Sequence, residues 1–155
     1  TSTGASSTLT GTTSETVLAT LSLPGGVAGI NGFFEVVNSW EVNSDASAKT
    51  ASVRLGAQGA GTGGTALRAA SLATLVSGYE QVSFKNDNSQ SAQKAFGSLA
   101  GAAGAGWGGG GSATPTAAIN TASAFDLVWT GTLADAADTL ILRAWAVTLS
   151  RPDIT

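Results

Sequence analysis

The feature that most constrains this chain is a period of two in its apolar residues, repeated in short runs that end in turn chemistry. From Glu15 to Leu23 the odd positions are Val17, Ala19, Leu21 and Leu23, with Thr16, Thr20 and Ser22 opposite, and Pro24-Gly25-Gly26 ends the run. Successive side chains of extended backbone point to opposite faces, so a run of this kind is a half-buried strand. Between Phe33 and Val42 the even side carries Phe34, Val36, Trp40 and Val42, interrupted by Asn38, while Glu35, Ser39 and Glu41 occupy the odd side. A turn at Asn43-Ser44-Asp45 leads to a third run, Lys49 to Gly56, with Ala51, Val53 and Leu55 on one side. Short strands separated by turns at this spacing predict an antiparallel sandwich or barrel.

The middle of the chain is less regular. After a glycine loop from Gly56 to Gly64, residues Thr65 to Gly78 fit a short helix through Leu72, Leu75 and Val76, or a strand with Leu67, Ala69, Ser71 and Ala73 on one side. The all-β context favours the strand. Tyr79 to Lys85 reads as a strand through Val82 and Phe84, Asn86-Asp87-Asn88-Ser89 as a turn, and Gln93 to Leu99 as its hairpin partner. Residues Gly101 to Ser112 are rich in Ala and Gly around a solitary Trp107 and are expected to form a surface excursion. Alternation returns with Phe125, Leu127 and Trp129, and the last strand runs from Thr139 to Ser150.

Composition removes whole classes of chemistry. The chain has no cysteine and no histidine, so disulfides, zinc fingers and His-dependent nucleophilic catalysis are excluded. More than half of its 155 residues are Ala, Gly, Ser or Thr, and only 11% are charged. Such a chain risks disorder, but a mean hydropathy of +0.20 and runs such as Leu140-Ile141-Leu142 argue for a packed core. Seven basic residues against ten acidic ones give no basic patch for nucleic acid. No apolar run approaches the roughly 18 residues of a transmembrane helix. The first residue is Thr1, with no signal-peptide pattern after it, so processing or a longer parent chain is expected.

Motifs that carry chemistry are weak. Gly59-Ala60-Gly61-Thr62-Gly63-Gly64 matches a dinucleotide-binding fingerprint, with Glu80 placed as a ribose-binding acid would be. The pattern recurs around Gly106, and no strand–helix–strand unit surrounds it, so no cofactor is expected. Glu35 and Glu41 share a strand face but lie roughly 20 Å apart, too far for a glycosidase pair. Asp135 and Asp138 could hold calcium with nearby carbonyls, yet their spacing is not that of an EF-hand loop. They are read as solvated turn residues, and no metal and no catalytic residue are assigned.

The final strand points to assembly. Its odd face holds Ile141, Arg143, Trp145, Val147 and Leu149, its even face Leu140, Leu142, Ala144 and Ala146, and neither face is polar. A strand apolar on both sides is normally covered on both sides. The expected cover is another subunit, with Arg143 as a gatekeeper against aggregation; long loops of the same chain are the alternative. Trp107, isolated among glycines, is a candidate partner contact, or it folds back over its own sandwich edge.

Three stretches resemble structural proteins of tailed bacteriophages. They are Leu9-Thr10-Gly11-Thr12-Thr13-Ser14-Glu15-Thr16-Val17-Leu18-Ala19-Thr20-Leu21 with Leu23-Pro24-Gly25-Gly26, the turn from Asn86 to Gln93, and Ala124 to Asp135 leading into Thr139-Leu140-Ile141-Leu142-Arg143-Ala144-Trp145. The likeness runs from about residue 9 onward and departs from the pattern around Trp107. It implies a jelly-roll-like sandwich of about eight strands, spanning residues 14–155 behind an arm at 1–13, with a Gly-rich loop at 101–112. It further implies a non-enzymatic virion component without nucleic-acid or membrane partners. The expected role is a capsid decoration (cement) protein on the outer capsid surface, a homo-oligomer, with a trimer expected, bound to the major capsid protein. The alternative is a receptor- or glycan-binding domain of a head or tail fibre.

Overall fold

A computed structural model describes residues 1–43, 45–72, 76–100 and 115–151. Among them are eleven strands: β1 (Ser2–Gly4), β2 (Ser7–Leu9), β3 (Thr16–Leu23), β4 (Phe33–Val42), β5 (Lys49–Ala57), β6 (Thr65–Ser71), β7 (Ser77–Asn86), β8 (Gln93–Ala100), β9 (Thr116–Ala117), β10 (Phe125–Leu133) and β11 (Leu140–Ser150). The described residues contain no α-helix, only a three-residue 3-10 turn at Gly61–Gly63. The long strands fall where the alternation placed them, and Thr65–Ser71 is a strand.

The strands form two antiparallel sheets. Sheet A runs β1-β11-β4-β7-β8-β9, with β2 also on the free edge of β11, and sheet B runs β3-β10-β5-β6. Taking the N-terminal pair β1/β2 as the first strand and β8–β9 as an edge extension, the chain order is 1-8-3-6 facing 2-7-4-5. This is the doubly wound Greek key of a jelly roll. Residues 1–13, expected as an arm, therefore include the topological first strand, with Ser2 opposite Val147 and Leu9 opposite Leu140.

Few large side chains fill the space between the sheets. Phe34 stacks on Phe84 at 4.5 Å and meets Phe125 of sheet B edge-on at 6.1 Å, and Trp129 of sheet B stacks on Trp145 of sheet A at 4.4 Å. Aromatic pairs at these separations add to their area burial. Gly4 is required by this packing, because a Cβ there would lie 2.1 Å from the Trp145 ring.

The alternation loses its phase at three bulges. Registers shift at Trp129/Thr130, where Ala19 and Val17 pair successively and Leu18 is the extra residue; at Val53/Arg54 against Arg68 and Ala66; and at Leu142/Ala144. An inserted residue turns the following side chains to the other face. Accordingly Val17 is exposed while Leu18 packs on the core, and in β6 Leu67 is followed inward by Ala70 and Leu72 rather than Ala69 and Ser71.

Buried polar groups sit at the middle and at both ends of the sandwich. In the middle, Glu80 accepts from Arg68 Nε at 2.9 Å, Trp40 Nε1 at 3.3 Å and Asn38 Nδ2 at 3.5 Å, and Asn38 Oδ1 accepts from Trp129 Nε1. Asn38, the interruption in the apolar side of β4, thus links Trp129 to the Glu80 carboxylate, which Trp40 also reaches directly. Burial pushes the Glu80 carboxyl above its ordinary value despite those donors. At one end Lys49, fully buried, is held by Asp45 and by Asp138 at 3.5 Å. Burial works against its charge, and the two carboxylates nonetheless raise its pKa. At the other end Asn86 donates to Gly29 O at 2.6 Å and to Thr121 at 2.9 Å, and accepts from Gln93 at 3.0 Å.

Two outcomes test this core. Leu9, at the end of β2, is 3% exposed, so Leu9→Ala is expected to cost about 2–5 kcal/mol in urea unfolding; a loss within about 0.5 kcal/mol would show a segment that does not pack. For Glu80, a folded pKa above the ordinary 4.5 means that its contribution to stability is complete below that value and is lost as pH rises through the folded pKa. Urea melts between about pH 4 and pH 8 should therefore show wild type losing stability relative to Glu80→Gln as pH rises, and a constant or opposite difference would refute it. Glu80→Ala, which leaves buried donors unpaired, is expected to cost about 3 kcal/mol or more at any of these pH values.

Candidate functional site

The location of a working surface follows from which faces the chain covers itself. Sheet B presents Asp126, Val128 and Thr130 of β10 away from the core, yet Val128 and Thr130 are fully buried and Asp126 is 3% exposed. The glycine loop after β5 folds over them, and the Gly59 N–H donates to Asp126 Oδ2 at 2.7 Å. Gly59 and Gly61 have φ of +82° and +53°, a conformation that favours glycine. The loop is fastened by Arg54, which donates to Gly64 O at 2.8 Å and to both oxygens of Glu15 at 2.7 and 3.0 Å. The fingerprint-like glycines of 59–64 thus serve a loop that closes over its own sheet.

Among the described residues, no loop closes over the outer face of sheet A. It carries Val37, Ser39 and Glu41 of β4, Tyr79, Gln81 and Ser83 of β7, Phe96 of β8, and Ala144 and Ala146 of β11. Tyr79 and Phe96 are 49% and 51% exposed, large rings standing out from a floor of short side chains. Near one end of this face lies a cleft of about 310 Å³ lined by Ser39, Glu41, Ser77, Tyr79 and Arg143, with the backbone of Trp40 and Gly78. Arg143 Nε donates to Glu41 Oε2 at 2.6 Å, and this hydrogen bond holds the Glu41 carboxyl below its ordinary value.

The candidate interface on β11 divides at its bulge. Trp145 and Val147 are 8% and 4% exposed and belong to the core, and Leu149 packs against that core. Arg143 is exposed and Ile141 half-buried. The two apolar faces read from the sequence are one inward face whose parity changes after Leu142, so the strand itself no longer calls for a covering subunit. Trp107 lies outside the described residues.

Other candidates also resolve. Glu35 and Glu41 share the outer face of β4 but have separate partners, Gln81 at 3.2 Å and Arg143. Asp138, expected in a solvated turn, is 4% exposed and accepts from Asn43 at 2.9 Å and from Ser47, with the Lys49 ammonium as its counter-charge. Asp135 accepts from the Ala137 N–H, as a turn residue does. Among the described residues no group of three or more acidic side chains could hold a metal ion. The cleft beside Tyr79 escaped the sequence, since its walls come from three strands distant in the chain. Its one sequence signal was an arginine inside an otherwise apolar strand.

No protein-family model matches the chain, and no curated protein matches it. Among solved structures it is similar to a Lotus tetragonolobus seed lectin, at a TM-score of 0.42 and 9% identity over 86% of this chain and 80% of that one. It is also similar to an alginate lyase from Alteromonas sp.272, at 0.37 and 8% over 85% and 78%. A structure of infectious bursal disease virus Gx strain is similar at 0.29 and 12%, covering 93% of this chain and 36% of that one. None of these likenesses assigns a residue or a role here.

Proposed function

We propose that this chain is a non-enzymatic contact protein of a virion: a capsid decoration protein that sits on the outer capsid surface as an oligomer, with a trimer expected and the major capsid protein as its partner. The observation that carries it is the division of labour among side chains. The buried ionisable groups Glu80, Lys49 and Asp138 are engaged within the fold, while the outer face of sheet A carries small side chains such as Ser39, Ser83, Ala144 and Ala146, two half-exposed aromatic rings, and charges largely paired with one another, as Arg143 is with Glu41. Such a face suits association through area and shape, with Phe96 as an anchor. The resemblance of residues 9–26, 86–93 and 124–145 to tailed-phage structural proteins supplies the virion setting. With Trp145 and Val147 in the core, the subunit or capsid contact moves from the inner row of β11 to this outer face, where Arg143 remains available.

Light scattering on the eluting protein is expected to give a trimer mass, and a monomer throughout the micromolar range would overturn the oligomer. Quantitative stoichiometry of purified virions is then expected to find hundreds of copies. A few copies would instead assign the chain to a head or tail fibre, and sustained hydrolysis of a host polysaccharide by the purified protein would overturn the non-enzymatic assignment.

A further inference from the structure

The cleft on the outer face of sheet A has a composition that plain surface contact does not require. Its floor is short: Ser39 of β4 lies directly across from Tyr79 of β7, and Glu41 across from Ser77. One wall is the Tyr79 ring, half-exposed on β7, and the other is the Arg143–Glu41 pair on β11 and β4. Because β4 lies between β11 and β7, the backbones that carry Arg143 and Tyr79 stand two strand spacings apart, roughly 10 Å, and Glu41 rises from the strand between them. The space left over the serine floor is on the scale of one ring-sized ligand. The volume of about 310 Å³ is at the small end of ligand pockets.

Arg143 owes its place in this wall to the bulge. The register slips between Leu142 and Ala144, so Arg143 is the extra residue and Ala144 takes the position across from Ser39. Bulges recur where a strand must re-aim one side chain beside a binding site. Here the bulge brings a guanidinium to Glu41.

The chemistry selects the ligand class. Arg143 is neutralised by Glu41 at 2.6 Å, so the wall offers no net positive charge to a phosphate or a carboxylate. It does offer donors and acceptors side by side: guanidinium N–H groups, carboxylate oxygens, and two serine hydroxyls that do either. With a single aromatic ring, the cleft would bury an extended apolar ligand poorly. A pyranose ring has the matching surface, an apolar C–H face for an aromatic ring and a rim of hydroxyls that both donate and accept. We propose that the cleft formed by Ser39, Glu41, Ser77, Tyr79 and Arg143 is a binding site for one unit of a neutral saccharide. The site does not depend on the decoration role.

The test is a titration of the full-length, 15N-labelled chain followed by backbone amide shifts. The ligands are neutral disaccharides built from glucose, galactose, mannose and N-acetylglucosamine, with trigalacturonate and inorganic phosphate as acidic arms. At least one neutral disaccharide is expected to shift the amides of 39–41, 77–79 and 143 saturably in the millimolar range, and the acidic arms are expected to leave them in place. Tyr79→Ala should weaken binding about tenfold, Tyr79→Phe should keep it, Arg143→Gln should weaken it, and Phe96→Ala, on the same face but outside the cleft, should change nothing. The amide spectrum of each variant shows directly whether it is folded. The site is refuted if no neutral disaccharide moves these amides, if only the acidic ligands do, or if binding survives Tyr79→Ala in a folded protein. Loss of binding in Phe96→Ala would equally refute it. A monomeric protein that still binds would overturn the assembly proposal and leave this site standing.

Discussion

Two sheets built largely from small side chains are held at their centre by Trp129. Its ring lies on Trp145 of the opposite sheet at 4.4 Å, and its N–H donates to Asn38, whose amide donates to Glu80. On one side the sequence of contacts continues from Trp145 to Gly4, which the ring covers so closely that no Cβ fits. On the other it continues from Glu80 to Arg68, back in sheet B. A path of contacts therefore crosses between the sheets three times and joins the first strand of the chain to β6. Small residues alone would give little preference for one stacking of the sheets over another. The large rings and the directional hydrogen bonds at their edges supply that preference.

The strands were legible because their alternation is a direct consequence of burying one face. Phe33–Val42 matches its sequence boundaries, and Phe125, Leu127 and Trp129 face the core as expected. The bulges were not legible, and each misled in the same way. In β11 the run Leu140, Leu142, then Trp145, Val147, Leu149 is one inward row with a residue inserted at Arg143, but without the insertion it reads as two apolar faces. In β3 and β6 the surrounding residues are mostly Ala, Thr and Ser, which tolerate either face and so leave little mark of the change. The first strand was hidden for a related reason. Ser2-Thr3-Gly4 contains nothing apolar, and its place is set by main-chain pairing and by the absence of a side chain at Gly4.

Polar function in the interior was legible at one point. Asn38 broke an otherwise apolar side, and a buried amide needs partners; those partners, Glu80 and Trp129, lie 42 and 91 residues away. No spacing rule reaches that far. Lys49 and Asp138 were equally silent, since a lysine at the start of a strand and an aspartate in a turn are ordinary surface positions, and burial is what makes them a pair.

The edges of the sheets bear on how this protein meets others. An unpaired edge strand invites pairing with another chain, and proteins blunt it by covering or distorting it. In sheet A the edge of β11 is paired with β1 and β2, and the first two residues of β8 are paired with β9. In sheet B the edge strands β3 and β6 each take part in a register shift. Growth by strand addition is disfavoured at the β11, β3 and β6 edges, and the centre of sheet B's outer face is closed by the glycine loop. The open route to a partner is the outer face of sheet A, where contact is made by side chains instead of main chain. That is the condition under which specificity can reside in a few residues, and Tyr79, Phe96 and Arg143 are among the large side chains that stand exposed there.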